Sequence, residues 1–156
     1  ARDRCDYTID RIRAVVTPRY KYIRNFMTDR PYMQPQYRDG RDYMKAIRSL
    51  YKEGKLNEVQ AALAGPHRPA EELYDLNVDP HETKNLVHEP SYGTQLGDMR
   101  TRLHRWIVET GDQGQYPESD AALRAVIKRW GDRAVNKEYD RVRKLDREQE
   151  PQAKAK

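Results

Sequence analysis

Residues 71–86, EELYDLNVDPHETKNL, set how the rest of the chain is read. Glu72–Leu76 reads as a short strand framed by Leu73 and Leu76, and Asp79-Pro80 as the turn after it. Asp79 followed three positions on by Glu82 matches a helix-start box. Asp79 would accept a first-turn amide, Pro80 would take the first helical position and Glu82 would fold back. Such capping contributes on the order of 1 kcal/mol. Leu86 then packs after the turn. The same residues could also serve a metal, with Asp75, Asp79, His81 and His88 as ligands. Calcium loops set oxygen ligands at alternate positions around a bending glycine, whereas here Pro80 sits mid-stretch and no glycine is present. The acids read first as builders of a turn and a cap, and second as ligands.

On the N-terminal side, Ile12, Ala14 and Val16 alternate with Arg11, Arg13 and Val15. TPRY at 17–20 offers Pro18 to the second turn position, and Tyr20, Tyr22 and Phe26 alternate with Lys21, Ile23 and Asn25. Residues 8–27 therefore predict a β-hairpin, with Lys21 and Arg24 on an exposed strand face. Residues 28–42, rich in Pro, Gly, Asp and Arg, predict a long irregular loop. Tyr43, Ile47, Leu50 and Tyr51 share a helical face over 43–53 that Gly54 ends, and a short helix follows over 57–64 before Gly65-Pro66. Beyond the opening stretch, Tyr92, Leu96, Met99, Leu103, Trp106 and Ile107 recur at helical spacing until Gly111. Another helix is expected over 119–130. Residues 132–156 alternate charge with few apolar anchors, which predicts a solvated helix fraying into a tail. The pattern is α+β: a small antiparallel sheet from 8–27 and 72–76 packed by the helix at about 92–110.

Composition narrows the function. The 156 residues are 37% hydrophobic and 35% charged, polar for a self-sufficient globule, so part of the chain stays solvated or leans on a partner. A net charge of +5 favours an anionic partner: nucleic acid, acidic polysaccharide or sulfated substrate. Tyr20, Tyr22 and Phe26 could stack bases, but no RNA-binding pattern accompanies them, so nucleic acid is not expected. The single cysteine, Cys5, excludes an internal disulfide and a Cys-based zinc site. His67, His81, His88 and His104 are scattered, and no Ser or Cys sits in a nucleophile motif. No apolar run is long enough to cross a membrane, so no membrane partner is expected. The chain opens ARDRCDYTID with no initiator Met, which reads as a piece of something longer.

The opening stretch resembles the C-terminal signature of the sulfatases, formylglycine-dependent enzymes on an alkaline-phosphatase-like fold. That signature runs E-L-Y-D-L, a short turn, D-P-x-E and N-L. Glu72, Leu73, Tyr74, Asp75, Leu76, Asp79, Pro80, Glu82, Asn85 and Leu86 match it. DRIRAVVTPRYKYIRNF is similar to the family's Arg-rich strand pair, and LHRWIVETGDQG to the helix that follows in bacterial sulfatases and the heparan N-sulfatase branch. The likeness covers residues 2–118, which implies a sulfatase C-terminal subdomain at 1–118 and a charged helical extension with a tail at 119–156.

The resemblance also implies what lies elsewhere. The C-x-P-x-R or S-x-P-x-R segment that yields formylglycine is missing here, as are the aspartates and Asp-Asn pair that hold calcium. Nucleophile, formylglycine and calcium are expected in a preceding N-terminal core domain, the first partner. This chain would then carry no catalytic residue, cofactor or metal ligand, and be inactive alone. The expected reaction of the parent is hydrolysis of sulfate esters or N-sulfates on a carbohydrate. The chain would brace the core and line the pocket rim. Arg2, Arg4 and Asp6, where the chain would leave the core, and the loop residues Arg30, Tyr32 and Gln34 are the rim candidates, since guanidinium forks suit sulfate and carboxylate groups. The family expectation for compartment is periplasmic, extracellular or lysosomal. The alternative is a non-catalytic module that binds sulfated polysaccharide by ion pairing.

Overall fold

In a computed structural model, the backbone is described for Arg4, Cys5 and residues 7–153, and side chains for residues 7–149. After a two-residue pair, β1 (Arg4–Cys5) with β2 (Thr8–Ile9), turn chemistry sets the main sheet. The Thr17 hydroxyl accepts the Tyr20 amide at 2.8 Å and the Thr17 amide donates to Tyr20 O. This closes β3 (Ile12–Val16) onto β4 (Tyr20–Asn25), in register from Ile12↔Asn25 to Val16↔Lys21. β5 (Glu71–Asp75) pairs with the other side of β4, giving the antiparallel order β3-β4-β5.

Helices cover one face and one end. α3 (Gly93–Thr110) lays Leu96, Met99 and Leu103 on Tyr22, Leu73 and Leu86, and stops where Gly111 takes φ 61°. α1 (Asp42–Lys52) and α2 (Glu58–Ala64) form a hairpin after the irregular loop, α2 opening with a capping box between Asn57 and Gln60. α4 (Asp120–Trp130) begins on a Ser119 cap, and α5 (Lys137–Ala153) packs beside it.

Strand β3 alternates, with Ile12, Ala14 and Val16 exposed, Arg13 buried and Val15 half-buried. The structure corrects three expectations. On α1 the buried side chain is Met44, whereas Tyr43, Leu50 and Tyr51 are exposed. No helix follows Pro80. The Asp79 carboxylate instead accepts from the Thr83 and Lys84 amides, both at 2.8 Å. Glu82 takes φ 56° and reaches Lys21 rather than folding back. The third concerns the solvated helix expected within 132–156: Tyr139 and Val142 on α5, with Ala134, are fully buried against Tyr7, Ile9, Met27, Leu123 and Val126, while the expected tail beyond 153 lies outside the described residues. Two anchors three positions apart suffice to bury one stripe of an otherwise charged helix.

Candidate functional site

The signature residues close the far edge of the sheet. Asn85 imitates a strand, its Oδ1 accepting the Leu73 amide (3.0 Å) and its Nδ2 donating to Glu71 O (3.0 Å). The Leu86 amide then donates to Leu73 O at 2.8 Å, while the Leu86 side chain enters the core. Asp75 is fully buried and receives a forked pair from Arg19, which holds its carboxyl below the ordinary carboxylate range. Lys21 meets Glu82 at 2.7 Å, and Arg24 lies 3.6 Å from Glu71, so both cations expected on an open face are partnered.

Glu72 serves the opposite face. It is buried and gathers Asn25 Nδ2 (2.5 Å), the Tyr74 hydroxyl (2.6 Å) and the Tyr32 hydroxyl. Burial first, and donation to Glu72 second, push both phenols well above the ordinary tyrosine range, so both remain proton donors. Arg68 stacks 5.6 Å over the Tyr32 ring, donates to Met27 O and pairs with Asp10 at 2.6 Å. Gln34 Nε2 donates to Ile9 O and to Asp10, and Asn136 closes the chain by donating to Gln34 Oε1.

In front of this network lies a cleft of about 150 Å³ lined by Thr8, Asp10, Tyr32, Gln34, Gln36 and Tyr37. Its donors and acceptors are fixed from behind, and Tyr37 adds a half-exposed ring. An acid, amides, hydroxyls and an aromatic face suit a polyhydroxylated ligand. Nothing lining it is a nucleophile with an adjacent base, so the cleft can bind and orient.

The rim candidates fare unequally. Tyr32 lines the cleft. Gln34 also lines it, but its amide is committed to Ile9, Asp10 and Asn136. Arg30 is buried and pairs with Glu138 at 2.6 Å and with Asp29, which makes it a tie to α5. Arg2 and Asp6 lie outside the described residues; Arg4 is described by its backbone, opposite Ile9. Asp10, Thr8, Gln36, Tyr37 and Arg68 were not singled out by sequence reasoning. Only Tyr32 and Gln34, embedded in the long loop, signalled this region. Among the described residues no three of His, Cys, Asp and Glu converge as metal ligands. His67, His81, His88 and His104 are all exposed.

No family model matches the chain. It is similar to the ulvan-active sulfatase of Formosa agariphila, 42% identical over 121 residues, 77% of this chain and 20% of that protein. It is also similar to the N-sulphoglucosamine sulphohydrolase of Homo sapiens, 44% identical over 46 residues, 30% of this chain and 9% of that protein. The chain thus spans about a fifth, or less, of the length of the curated relatives it matches. With this similarity along three quarters of its length, and the E-L-Y-D-L, D-P-x-E and N-L residues built around one sheet edge, the chain belongs to the sulfatase family and corresponds to its C-terminal subdomain.

Proposed function

We propose that the chain braces the catalytic core of a sulfatase that acts on sulfated carbohydrate, and that the Asp10–Tyr32–Tyr37 cleft forms part of the rim of its substrate pocket. The observation that carries the bracing role is the sheet face turned away from α3. There Ile12 is 38% and Val16 62% exposed, and Ala14 between them is also exposed. That face is apolar along β3, and an apolar strip of sheet is completed by another layer, which an N-terminal core domain would supply. In this proposal formylglycine and calcium belong to that core and provide the nucleophile and charge neutralisation. The present residues bind and orient. Tyr37 would take a sugar ring face, Tyr32 and Asp10 its hydroxyls, and Arg2, Arg4 and Asp6 would lead into the same rim. The compartment we propose is periplasmic, extracellular or lysosomal; among the described residues no helix is long and apolar enough to cross a membrane.

The test is sulfate release by the full-length protein from sulfated oligosaccharides, with Tyr37→Ala and Asp10→Asn compared to wild type. A rim role predicts KM raised about tenfold with kcat nearly kept, the pattern of lost uniform binding. Unchanged kcat/KM in both variants would remove the cleft from the rim. Glycan retention without any sulfate release would favour a binding module instead.

A further inference from the structure

Along α3, on the side of strand β3, two hollows of about 440 and 400 Å³ lie side by side and share Thr17 and Arg102 in their walls. Together they make a track from Thr94 to Glu109, roughly 22 Å at the rise of an α-helix. One wall is β3. Phe26 bonds Arg11 and Thr17 bonds Tyr20, so the alternation of an antiparallel ladder turns the amides and carbonyls of Ala14 and Val16 outward, where no strand pairs with them among the described residues.

The other wall carries three features that ask for a ligand. Trp106 is 43% exposed. Arg105 has no ion-pair partner among the described residues, and Arg102 shares Asp98 through Nε while remaining half-exposed. At the far end Gln95 holds a buried Oε1 that accepts no hydrogen bond. Arg13 is already committed to Asp112, so it is wall rather than ligand. Asp98 and Glu109 oppose an anion, the first partly neutralised by Arg102 and the second with no ion-pair partner among the described residues.

We propose that this track binds a sulfated polysaccharide chain. Trp106 would stack on a sugar ring, Arg105 and the outer edge of Arg102 would hold sulfate groups, and Gln95 Oε1 would accept a sugar hydroxyl. Length favours a polymer, since the polar groups are strung along four helical turns rather than gathered in one pocket. The exposed indole and the orphan acceptor favour a sugar over an acidic peptide strand, which would use the β3 edge and leave Gln95 unmet. The inference rests on the carbohydrate reading above.

The test is binding of dextran sulfate, and of unsulfated dextran, to the full-length protein at fixed salt. Arg105→Ala and Trp106→Ala are each expected to weaken dextran sulfate binding about tenfold. Glu109→Gln is expected to tighten it about twofold, a gain that general loss of fold cannot produce. Dextran should bind far more weakly. Wild-type affinity in both Arg105→Ala and Trp106→Ala, or no gain in Glu109→Gln, would overturn the proposal. So would a polyglutamate peptide that displaces dextran sulfate from the wild type and binds it more tightly. Sulfate release is read separately: no release from any sulfated sugar, together with the expected binding pattern, would remove the hydrolase reading and leave the track standing.

Discussion

Arg13 decides which way β3 faces. Its guanidinium is buried, forks onto Asp112 at 2.8 and 3.0 Å and donates to Ile12 O, while the Gly114 amide steadies the same carboxylate. A Cβ at position 114 would overlap that guanidinium, so glycine is required there by space. Arg13→Ala and Gly114→Ala are each expected to cost about 3 kcal/mol in urea unfolding, because each strands a buried charge. A neutral Gly114→Ala would contradict the packing. The alternation was legible in the sequence, but which set faces inward was not, because Arg13 turns inward for a partner 99 positions away. Glu71 gives a second residue-level test. Arg100 foremost, then the Tyr22 hydroxyl, hold its carboxyl at about 2 against an ordinary 4.5, although burial opposes them. A carboxyl depressed by folding stabilises fully above its unfolded pKa, so this contribution is complete above about pH 5 and fades as pH falls toward 2. Roughly 2 kcal/mol should be lost over that window, and Glu71→Gln should flatten that part of the stability curve. An identical acid limb in the variant would remove Glu71 from the account.

At the scale of elements, the two edges of the sheet are treated differently. The β5 edge is closed by Asn85 and Leu86, while among the described residues no strand pairs with the β3 edge. Asn85→Ala would unpair the Leu73 amide and the Glu71 carbonyl together, and about 2 kcal/mol of lost stability is expected. Asn85→Asp keeps the acceptor and loses the donor, so it should fall between wild type and alanine in the same denaturation series; an equal or larger loss would mean the side chain is not acting as a strand. The hairpin, the long helix and its glycine stop were legible, because Thr17, Pro18 and Gly111 act on their nearest neighbours. The segment after Pro80 was misread for a related reason. Asp79 does accept backbone amides as a cap does, but it takes those of Thr83 and Lys84 and builds a turn. Glu82, which a capping box would fold back, pairs instead with Lys21 across 61 positions.

Over the whole molecule, two apolar clusters are tied by polar groups rather than by a shared core. One gathers under α3; the other joins α4 and α5 to Tyr7, Ile9 and Met27. Arg30 to Glu138, Asn136 to Gln34 and Arg68 to Asp10 lace the second cluster to the loop and the cleft. The lacing was hidden in the sequence because its partners are mostly more than 50 positions apart and α5 looks charged throughout. The cleft was half legible for that reason: Tyr32 and Gln34 stand in a conspicuous loop, but Asp10 and Arg68 become neighbours only in the fold. Strand β2 also runs into β3 through two residues, so the clusters share a short covalent joint as well as the lacing. The halves are therefore expected to unfold together. The two tryptophans report separately, Trp130 from an edge-on contact with Tyr7 and Trp106 from α3. Tyr139→Ala removes a fully buried ring and its bond to Tyr7 O, at a cost of about 3–5 kcal/mol. In single-tryptophan variants followed by fluorescence in urea, that substitution should lower both midpoints by the same amount. If the Trp130 midpoint falls while the Trp106 midpoint stays, the helices after residue 118 form an independent unit. The cleft would then depend on that unit's docking rather than on the stability of the sheet.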